Sequence, residues 1–138
     1  MRISTRGRYA LRVVLDLAQH DKDGFVSLKS ISQRQEVSVK YLEAIVALLN
    51  KAGIVMSQRG KDGGYRLARE PKDITAAEIL SVTEGSIAPV ACIDRDSAPC
   101  ERAGSCMTMP MWRELDRVMD EYLSSVSVED IIRGDVLR

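Results

Sequence analysis

The most informative segment of this chain reads Ser38-Val-Lys-Tyr-Leu-Glu-Ala-Ile-Val-Ala-Leu-Leu-Asn-Lys51. Its large apolar side chains recur at the spacing of one buried helical face. That face consists of Leu42, Ile45, Val46 and Leu49, and the opposite face of Lys40, Ala44, Ala47 and Lys51. A thin basic face suits a recognition helix in the major groove, because alanine lets the backbone approach the bases while lysines reach phosphates. Ser38 is the predicted N-cap, with Tyr41 and Glu43 flanking the face.

Two segments upstream complete a predicted helix-turn-helix. The first helix is predicted to begin after Ser4 or Thr5 and to end near Gln19. Ser27 is the predicted N-cap of a short second helix, after which Gln35-Glu36-Val37 turns the chain into the third. Four arginines lie mostly outside the apolar stripe of the first segment: Arg2, Arg6, Arg8 and Arg12. We expect these arginines to be free to contact a polyanion.

Downstream of the third helix, a glycine-rich turn joins two predicted strands. The strands are Ile54–Arg59 and Tyr65–Leu67, and the turn is Gly60-Lys-Asp-Gly-Gly64. The fold class is therefore mainly α with a small β-hairpin wing, a winged helix-turn-helix. Arg59 and Lys61 at the tip would reach a minor groove or phosphates. A nucleotide-binding loop is the alternative, but the order of residues departs from a P-loop and no helix follows at once.

The chain after Pro71 contains signals for three more helices. Thr75 with Glu78 forms a capping box for a fourth helix, and Ser127 with Asp130 caps a short last one. Between them a long helix is predicted from Met109 to about Ser124. Its apolar stripe comprises Met111, Trp112, Leu115, Val118, Met119, Tyr122 and Leu123. We expect this to be a dimerisation helix that makes the protein a homodimer, the alternative being that the stripe folds back on its own domain.

Three cysteines, the only ones in the chain, lie close together ahead of the long helix: Cys92, Cys100 and Cys106. Their clustering favours a soft metal or an iron–sulfur cluster over disulfides, since an odd number cannot pair off. A zinc site, redox thiols and idle cysteines are the alternatives. The predicted organisation is a winged helix-turn-helix over 1–70, a linking helix over 71–91, a cysteine loop over 92–106, and the dimerisation and C-terminal helices over 107–138.

Charge is divided unevenly along the 138 residues, although the formal net charge is +0. Residues 1–70 carry 13 Lys and Arg against 7 Asp and Glu, and residues 71–138 carry 7 against 13. The basic half can neutralise phosphates of double-stranded DNA, although a protein-interaction module without DNA is an alternative. No paired carboxylates, nucleotide fingerprint or Ser/His/Asp order stands out, so we do not expect an enzyme. Without a membrane-spanning apolar run or a secretory leader, a cytoplasmic protein is expected.

The sequence resembles the IscR-type winged-helix transcription regulators, which are iron–sulfur cluster proteins. The likeness rests on Met1-Arg-Ile-Ser-Thr-Arg-Gly-Arg-Tyr-Ala10, Ser38-Val-Lys-Tyr-Leu-Glu43, Arg59-Gly60 with Gly63-Gly64-Tyr65, and the cysteines before Trp112-Arg113. It implies a homodimer joined by the long helix that binds palindromic promoter DNA. It further implies that Ser38, Tyr41 and Glu43 face DNA with Arg59 in the wing.

The same resemblance implies an iron–sulfur cluster held by the three cysteines and one further ligand. We favour [2Fe–2S] over [4Fe–4S]. Met109 stands where members with a histidine ligand place that histidine. The expected function is that of a repressor that senses iron–sulfur status and controls genes for cluster assembly or sulfur metabolism. The alternatives are a repressor of cysteine metabolism and a winged-helix regulator that uses its cysteines as redox thiols or as a zinc site.

Overall fold

The computed structural model describes residues 2–138, so Met1, the first residue of the predicted winged-helix region, lies outside it. Over these residues the chain forms six α-helices and one two-stranded sheet. In chain order they are α1 (Thr5–His20), α2 (Leu28–Gln35), α3 (Val39–Lys51), β1 (Val55–Gln58), β2 (Gly64–Leu67), α4 (Ala76–Glu84), α5 (Met109–Ser125) and α6 (Val128–Arg133). Short 3₁₀ helices lie at Pro71–Asp73 and Ala91–Ile93. The predicted fold class, mainly α with a hairpin wing, is confirmed.

Side-chain caps explain where five of the six helices begin, α5 being the exception. Ser4, Ser27 and Ser38 each accept a hydrogen bond from a backbone amide in the first turn that follows. Two capping boxes, Thr75 with Glu78 and Ser127 with Asp130, start α4 and α6. Each cap satisfies a backbone donor that the helix itself leaves without a partner. The predicted helix boundaries are confirmed to within a residue or two for this reason.

One hydrophobic core holds the first three helices, the hairpin and two later elements together. The apolar stripe predicted for α3 is fully buried and packs against the stripe of α1. Val128 of α6 also belongs to this core, and its amide donates to the carbonyl of Ile74 at 2.8 Å. The amide of Ala76 donates to the carbonyl of Val126 at 2.9 Å. The C-terminal short helix therefore packs against the winged-helix core, although sequence reasoning grouped it with the long helix.

The hairpin pairs in antiparallel register from Val55 with Leu67 to Gln58 with Gly64. Val26, in the segment before α2, extends this sheet through two 2.8 Å hydrogen bonds with the backbone of Tyr65. Gly64 makes that close approach possible, because its φ is 150° and a Cβ there would lie 2.2 Å from the Val26 carbonyl oxygen. The wing is thus fixed at its base to the body of the domain.

The long helix α5 contrasts with the rest of the fold. Met109 is its single buried residue, and the remaining side chains of α5 are half-buried or exposed. Met111, Val118 and Tyr122 are 54%, 47% and 41% exposed. Its packing within the chain is chiefly against α4. The predicted apolar stripe is consequently only partly covered by the chain's own residues 2–138. None of the helices in that range combines the length and apolarity needed to cross a bilayer.

Candidate DNA interface and cysteine loop

The outward face of α3 is a basic strip of short and long side chains. Lys40, Glu43, Ala44, Ala47 and Lys51 are all exposed, as the periodicity predicted. Across residues 2–138 no salt bridge engages the charged members of this strip. Because the side chains of the two alanines are short, the backbone of α3 can approach another surface closely. The face therefore has the shape and charge of a helix that enters a DNA groove.

Ser38 and Tyr41, the other predicted contacts on α3, are partly committed within the domain. The Ser38 hydroxyl accepts a 3.1 Å hydrogen bond from the amide of Tyr41 as the N-cap. The ring of Tyr41 is half-buried and packs edge-on against Tyr9 of α1, with centroids 5.8 Å apart and planes at 86°. This geometry is favourable for an aromatic pair. Tyr41 consequently helps to hold α3 against α1, and its contact with DNA stays a prediction.

The tip of the wing presents two further cations. Arg59 and Lys61 are exposed and flank Gly60, whose φ is 110°. The turn is closed by a 3.1 Å hydrogen bond from the amide of Gly63 to the carbonyl of Gly60. Among the described residues neither cation forms a salt bridge. The tip can therefore offer both charges to a phosphate or a narrow groove.

The expectation that the arginines of the first segment are free is wrong for two of the four. Arg6 donates a 2.7 Å hydrogen bond to the carbonyl of Thr83, at the end of α4. Arg12 donates to both the side chain and the backbone carbonyl of Gln35, at 2.9 and 2.7 Å. Sequence periodicity separates buried from exposed positions, but it does not reveal which exposed guanidinium meets an acceptor from another helix.

Arg2 and Arg8 are the other two members of this set, and all four are exposed. Arg8 bonds to Thr5 Oγ1 within α1, at 3.1 Å. Arg2 borders a small cleft with Ile3, Glu84 and Ile87, at the junction of α1 and α4. The N-terminus of α1 is fixed there, because Glu84 accepts hydrogen bonds from the backbone and hydroxyl of Ser4. The DNA contact of Arg2 stays a prediction.

Sequence reasoning missed a buried ion pair that fixes α2 to α1. Asp16 is 1% exposed and accepts two hydrogen bonds from Arg34, at 2.9 and 2.7 Å, and one from Gln35 at 2.9 Å. Burial alone would raise the pKa of Asp16, but the bonds from Arg34 and Gln35 and the charges of Arg34 and His20 outweigh it, so the pKa is lowered. No local motif marks such a pair, because its members are joined only by the packing of two helices.

The three cysteines are free and half-buried, in an irregular segment between α4 and α5. Cys92 lies in the short 3₁₀ helix Ala91–Ile93, and Cys106 lies just ahead of α5. The Cys106 sulfur and the Thr108 hydroxyl are 3.2 Å apart. This bond, with the amides of Thr108 and Met109, lowers the pKa of the Cys106 thiol. These hydrogen bonds favour the thiolate form, which is the form that binds soft metals.

As a set, the cysteines fit an iron–sulfur cluster in chemistry but are not assembled into a ligand cage. Three thiols in one segment are the donors that iron–sulfur clusters use. Within residues 2–138, however, no three Cys, His, Asp or Glu side chains are grouped closely enough to hold a metal ion. Binding a cluster would thus require the segment to rearrange. Met109 is 2% exposed, so its thioether belongs to the packed interior at the start of α5.

Comparison with known proteins places this geometry among transcription regulators. The chain matches the Rrf2 family, described as iron-dependent transcriptional regulators, over residues 3–134. It is 39% identical over 133 residues to protein rrf2 of Nitratidesulfovibrio vulgaris, with 96% of this chain and 88% of that protein covered. It is 37% identical over 134 residues to the HTH-type transcriptional regulator IscR of Photorhabdus laumondii, with 97% and 80% covered.

Solved structures of similar fold point the same way. CymR, the global cysteine regulator of B. subtilis, superposes with a TM-score of 0.77 at 40% identity, with 95% of each chain covered. IscR of T. potens superposes with a TM-score of 0.77 at 38% identity, with 98% of this chain and 88% of that one covered. The chain is thus similar to a comparable degree to an IscR and to a global cysteine regulator.

Proposed function

The chain belongs to the Rrf2 family of transcription regulators, and from that premise we propose that it is a homodimeric repressor that reads promoter DNA through α3 and the wing. Family membership confirms the IscR-type resemblance and the prediction that the protein regulates transcription and is not an enzyme. The proposal concerns which residues carry the activity and what controls it. Its chief support is the strip on α3, which is exposed, basic and without ion-pair partners among the described residues.

On α3 the proposed contacts divide by chemistry. Lys40 and Lys51 neutralise phosphates and so contribute affinity for any sequence. Glu43 repels phosphate but can accept a hydrogen bond from a cytosine amino group, so it contributes sequence preference. The hydroxyl of Ser38 can donate to a base or phosphate, because it acts as the acceptor in its hydrogen bond with the amide of Tyr41. In the wing, Arg59 and Lys61 would enter a minor groove or contact its phosphates.

We propose that α5 joins two copies of the chain. Its stripe exposes apolar side chains that the chain's own residues leave uncovered. Burying such a stripe against its symmetry mate is favourable through the hydrophobic effect, at about 25 cal/mol per Å² of apolar surface. A two-fold dimer would present two α3 helices and therefore read a palindromic site.

We further propose that Cys92, Cys100 and Cys106 hold an iron–sulfur cluster, with [2Fe–2S] favoured over [4Fe–4S]. A bound cluster supplies a redox-active and ligand-labile centre. The chain's own residues supply a route from this segment to the DNA interface. Cys106 lies at the start of α5, α5 packs on α4, and Glu84 of α4 bonds to Ser4 at the start of α1. A change in the segment can therefore bias the placement of α1 and α3.

A second candidate function keeps the DNA interface and dispenses with the cluster. The cysteines are separate and free, and the similarity to CymR is as close as that to IscR. In this case the protein would repress cysteine-metabolism genes in the cytoplasm, with the thiols or a zinc ion as sensor. Under the first proposal the regulated genes are those of cluster assembly or sulfur metabolism, in the same compartment.

Visible spectra of protein purified without oxygen separate these two candidates, with iron, sulfide and zinc assayed on the same sample. The cluster proposal expects a chromophore that each of Cys92→Ala, Cys100→Ala and Cys106→Ala abolishes while the dimer stays folded. Because Met109 is buried, Met109→Leu is the suitable test of its thioether, since leucine conserves its volume. We expect this variant to keep the chromophore. Colourless parent protein without iron would favour the second candidate.

DNA binding is tested with a duplex selected by the parent protein from a random-sequence pool, and with a scrambled duplex of the same length. Lys40→Ala and Lys51→Ala should each weaken binding to both duplexes. Each change removes one phosphate contact from each subunit of the dimer, so it should lower the salt slope by about 1.8. Glu43→Ala and Arg59→Ala should mainly weaken the preference for the selected duplex. Lys72→Ala, in the 3₁₀ helix after the wing, is an exposed lysine for matched comparison. If all four variants bind as Lys72→Ala does, this surface is not the reader.

A further inference from the structure

The turn between α2 and α3 is held in a conformation that its sequence does not favour. Glu36, at the end of α2, has φ 55° and ψ 45°, and it is the non-glycine residue with positive φ within 2–138. A side chain with a Cβ adopts this left-handed conformation at a cost in free energy. Such a residue persists only when its surroundings fix it. The contacts on either side of Glu36 therefore determine how α3 is placed relative to α2.

Contacts from two helices fix the residues on both sides of Glu36. On one side, Arg12 of α1 donates to the Gln35 side-chain oxygen at 2.9 Å and to the Gln35 carbonyl oxygen at 2.7 Å. On the other, the Ser32 hydroxyl donates to the carbonyl of Val37 at 2.5 Å. The side-chain amide of Gln35 also donates a 2.9 Å hydrogen bond to Asp16. The Arg12 fork is the contact that ties the turn to α1.

The same arginine also reaches α3 through two aromatic rings. Its guanidinium carbon lies 4.8 Å from the centroid of the Tyr9 ring, and the Tyr9 ring packs edge-on against Tyr41 of α3. A guanidinium over a ring is attracted by the ring's quadrupole and stacks on it, which an ammonium cannot do in the same way. Arg12 thus joins α1, the α2–α3 turn and the first turn of α3.

We propose that Arg12 is a positioning residue for DNA reading: it sets the orientation of α3 by clamping the left-handed turn at Glu36 and the Tyr9–Tyr41 pair. The proposal rests on the proposed function, because it takes α3 as the reader. It predicts that the geometry of the guanidinium matters and that its charge alone does not. A direct phosphate contact by Arg12 would require the opposite.

Arg12→Lys and Arg12→Gln separate the two roles on the selected and scrambled duplexes. Lysine keeps the charge but cannot form the fork or stack in the same way, so both variants should bind the selected duplex about tenfold more weakly. That loss corresponds to the competent orientation being populated about one-tenth as often. Affinity for the scrambled duplex should stay within about twofold, and the salt slope should not change. Arg133→Gln, which removes an exposed arginine of α6 bonded to Glu129 of the same helix, should bind both duplexes as the parent does.

Amide hydrogen exchange over residues 35–41 is the second readout. We expect faster exchange there in both Arg12 variants and parent-like exchange in Arg133→Gln, because the clamp restrains this turn. Parent-like exchange with weakened binding would overturn the positioning role. If Arg12→Lys retains binding and Arg12→Gln lowers the salt slope by about 1.8, one contact per subunit, Arg12 instead contacts a phosphate.

Lys51→Ala, measured beside these variants, distinguishes failure of this inference from failure of the proposed function. If Lys51→Ala lowers the salt slope while both Arg12 variants bind as the parent does, α3 reads DNA but Arg12 does not position it. If Lys51→Ala also leaves binding unchanged, α3 is not the reader and the premise fails with the inference.

Discussion

Two regions of this molecule differ in how completely their apolar surface and polar groups find partners within the chain. The first three helices and the hairpin share one core, and the buried Asp16 is paired by side chains from α2. The long helix α5 has a single buried residue, and the cysteine segment before it carries three free thiols. A region whose packing and hydrogen bonds are complete can fold as it stands. A region with uncovered apolar surface and unused donors is built for contacts from outside the chain.

The charge distribution supports the same division. In the N-terminal half, the outward strip of α3 and the tip of the wing carry four exposed cations that form no salt bridge among the described residues: Lys40, Lys51, Arg59 and Lys61. On α5, by contrast, Arg117 is paired with both Glu114 and Glu121 of its own helix. Exposed pairs of this kind contribute little to stability. The first surface suits a polyanion, and α5 offers its apolar stripe to another protein surface.

The largest expected effect comes from placing charge on the α5 stripe. Leu115→Asp with Val118→Asp would bury two carboxylates per subunit, four in the proposed dimer, at a cost of several kcal/mol for each ion. We expect a monomer in sedimentation experiments, with much weaker binding to a palindromic duplex. Circular dichroism should show parent-like helix content, since neither residue belongs to the core of the chain.

Ser124→Asp is the matched control, since Ser124 is exposed and lies on the opposite face of α5 from Leu115. It adds the same charge to the same helix away from the stripe, so it should remain dimeric. A double variant that sediments as the parent dimer would place the interface elsewhere and would weaken the contrast drawn between the two ends.

A pair of glycines tests the contrast with the same substitution in both regions. An added Cβ at Gly64 would lie 2.2 Å from the Val26 carbonyl oxygen, whereas at Gly104 it would meet no atom within 4 Å. Gly64→Ala should therefore lower the free energy of unfolding by about 2–3 kcal/mol. Gly104→Ala should change it by less than about 1 kcal/mol. Urea unfolding at fixed protein concentration measures both, and equal losses would show that the cysteine segment is packed as tightly as the wing.

What the sequence predicted well are features determined by neighbours along the chain. The caps at Ser27 and Ser38 and the box at Thr75 with Glu78 were found because each acts within four residues. What it missed are polar contacts between helices, such as Arg12 with Gln35 and Asp16 with Arg34. These residues are ordinary charged side chains in their own helices, and only tertiary packing brings them together. For the cysteines, the sequence located the three thiols but could not show that the segment keeps them apart.

The buried ion pair gives the next largest effect and a pH signature. Asp16→Asn removes the charge that Arg34 faces, and because Arg34 is 33% exposed we expect a loss of about 2 kcal/mol, below the range for fully buried pairs. The pKa of Asp16 is lowered from 3.8 in the folded state. Its stabilising contribution is therefore complete above the unfolded pKa and disappears as the pH falls through the folded pKa.

The difference in unfolding free energy between parent and Asp16→Asn should thus be constant above about pH 5 and shrink as the pH approaches 2. Taking the difference removes the titration of other carboxylates that both proteins share. Urea unfolding at each pH provides the measurement. A difference that does not change with pH would mean that the ionised carboxylate of Asp16 is not what Arg34 and Gln35 hold.

The smallest expected effect concerns Glu36 in the turn between α2 and α3. Among residues 2–138 it is the one non-glycine residue in the left-handed conformation. Glycine is the preferred residue there, so Glu36→Gly relieves about 1 kcal/mol of conformational cost. About half of this is offset because glycine also makes the unfolded chain more flexible, which leaves a gain of about 0.5 kcal/mol in unfolding free energy. Gln33→Gly, at an exposed position inside α2, should instead lose about 1 kcal/mol. Opposite signs for two glycines three residues apart would confirm that the turn is strained, whereas equal losses would show that the Glu36 side chain stabilises it.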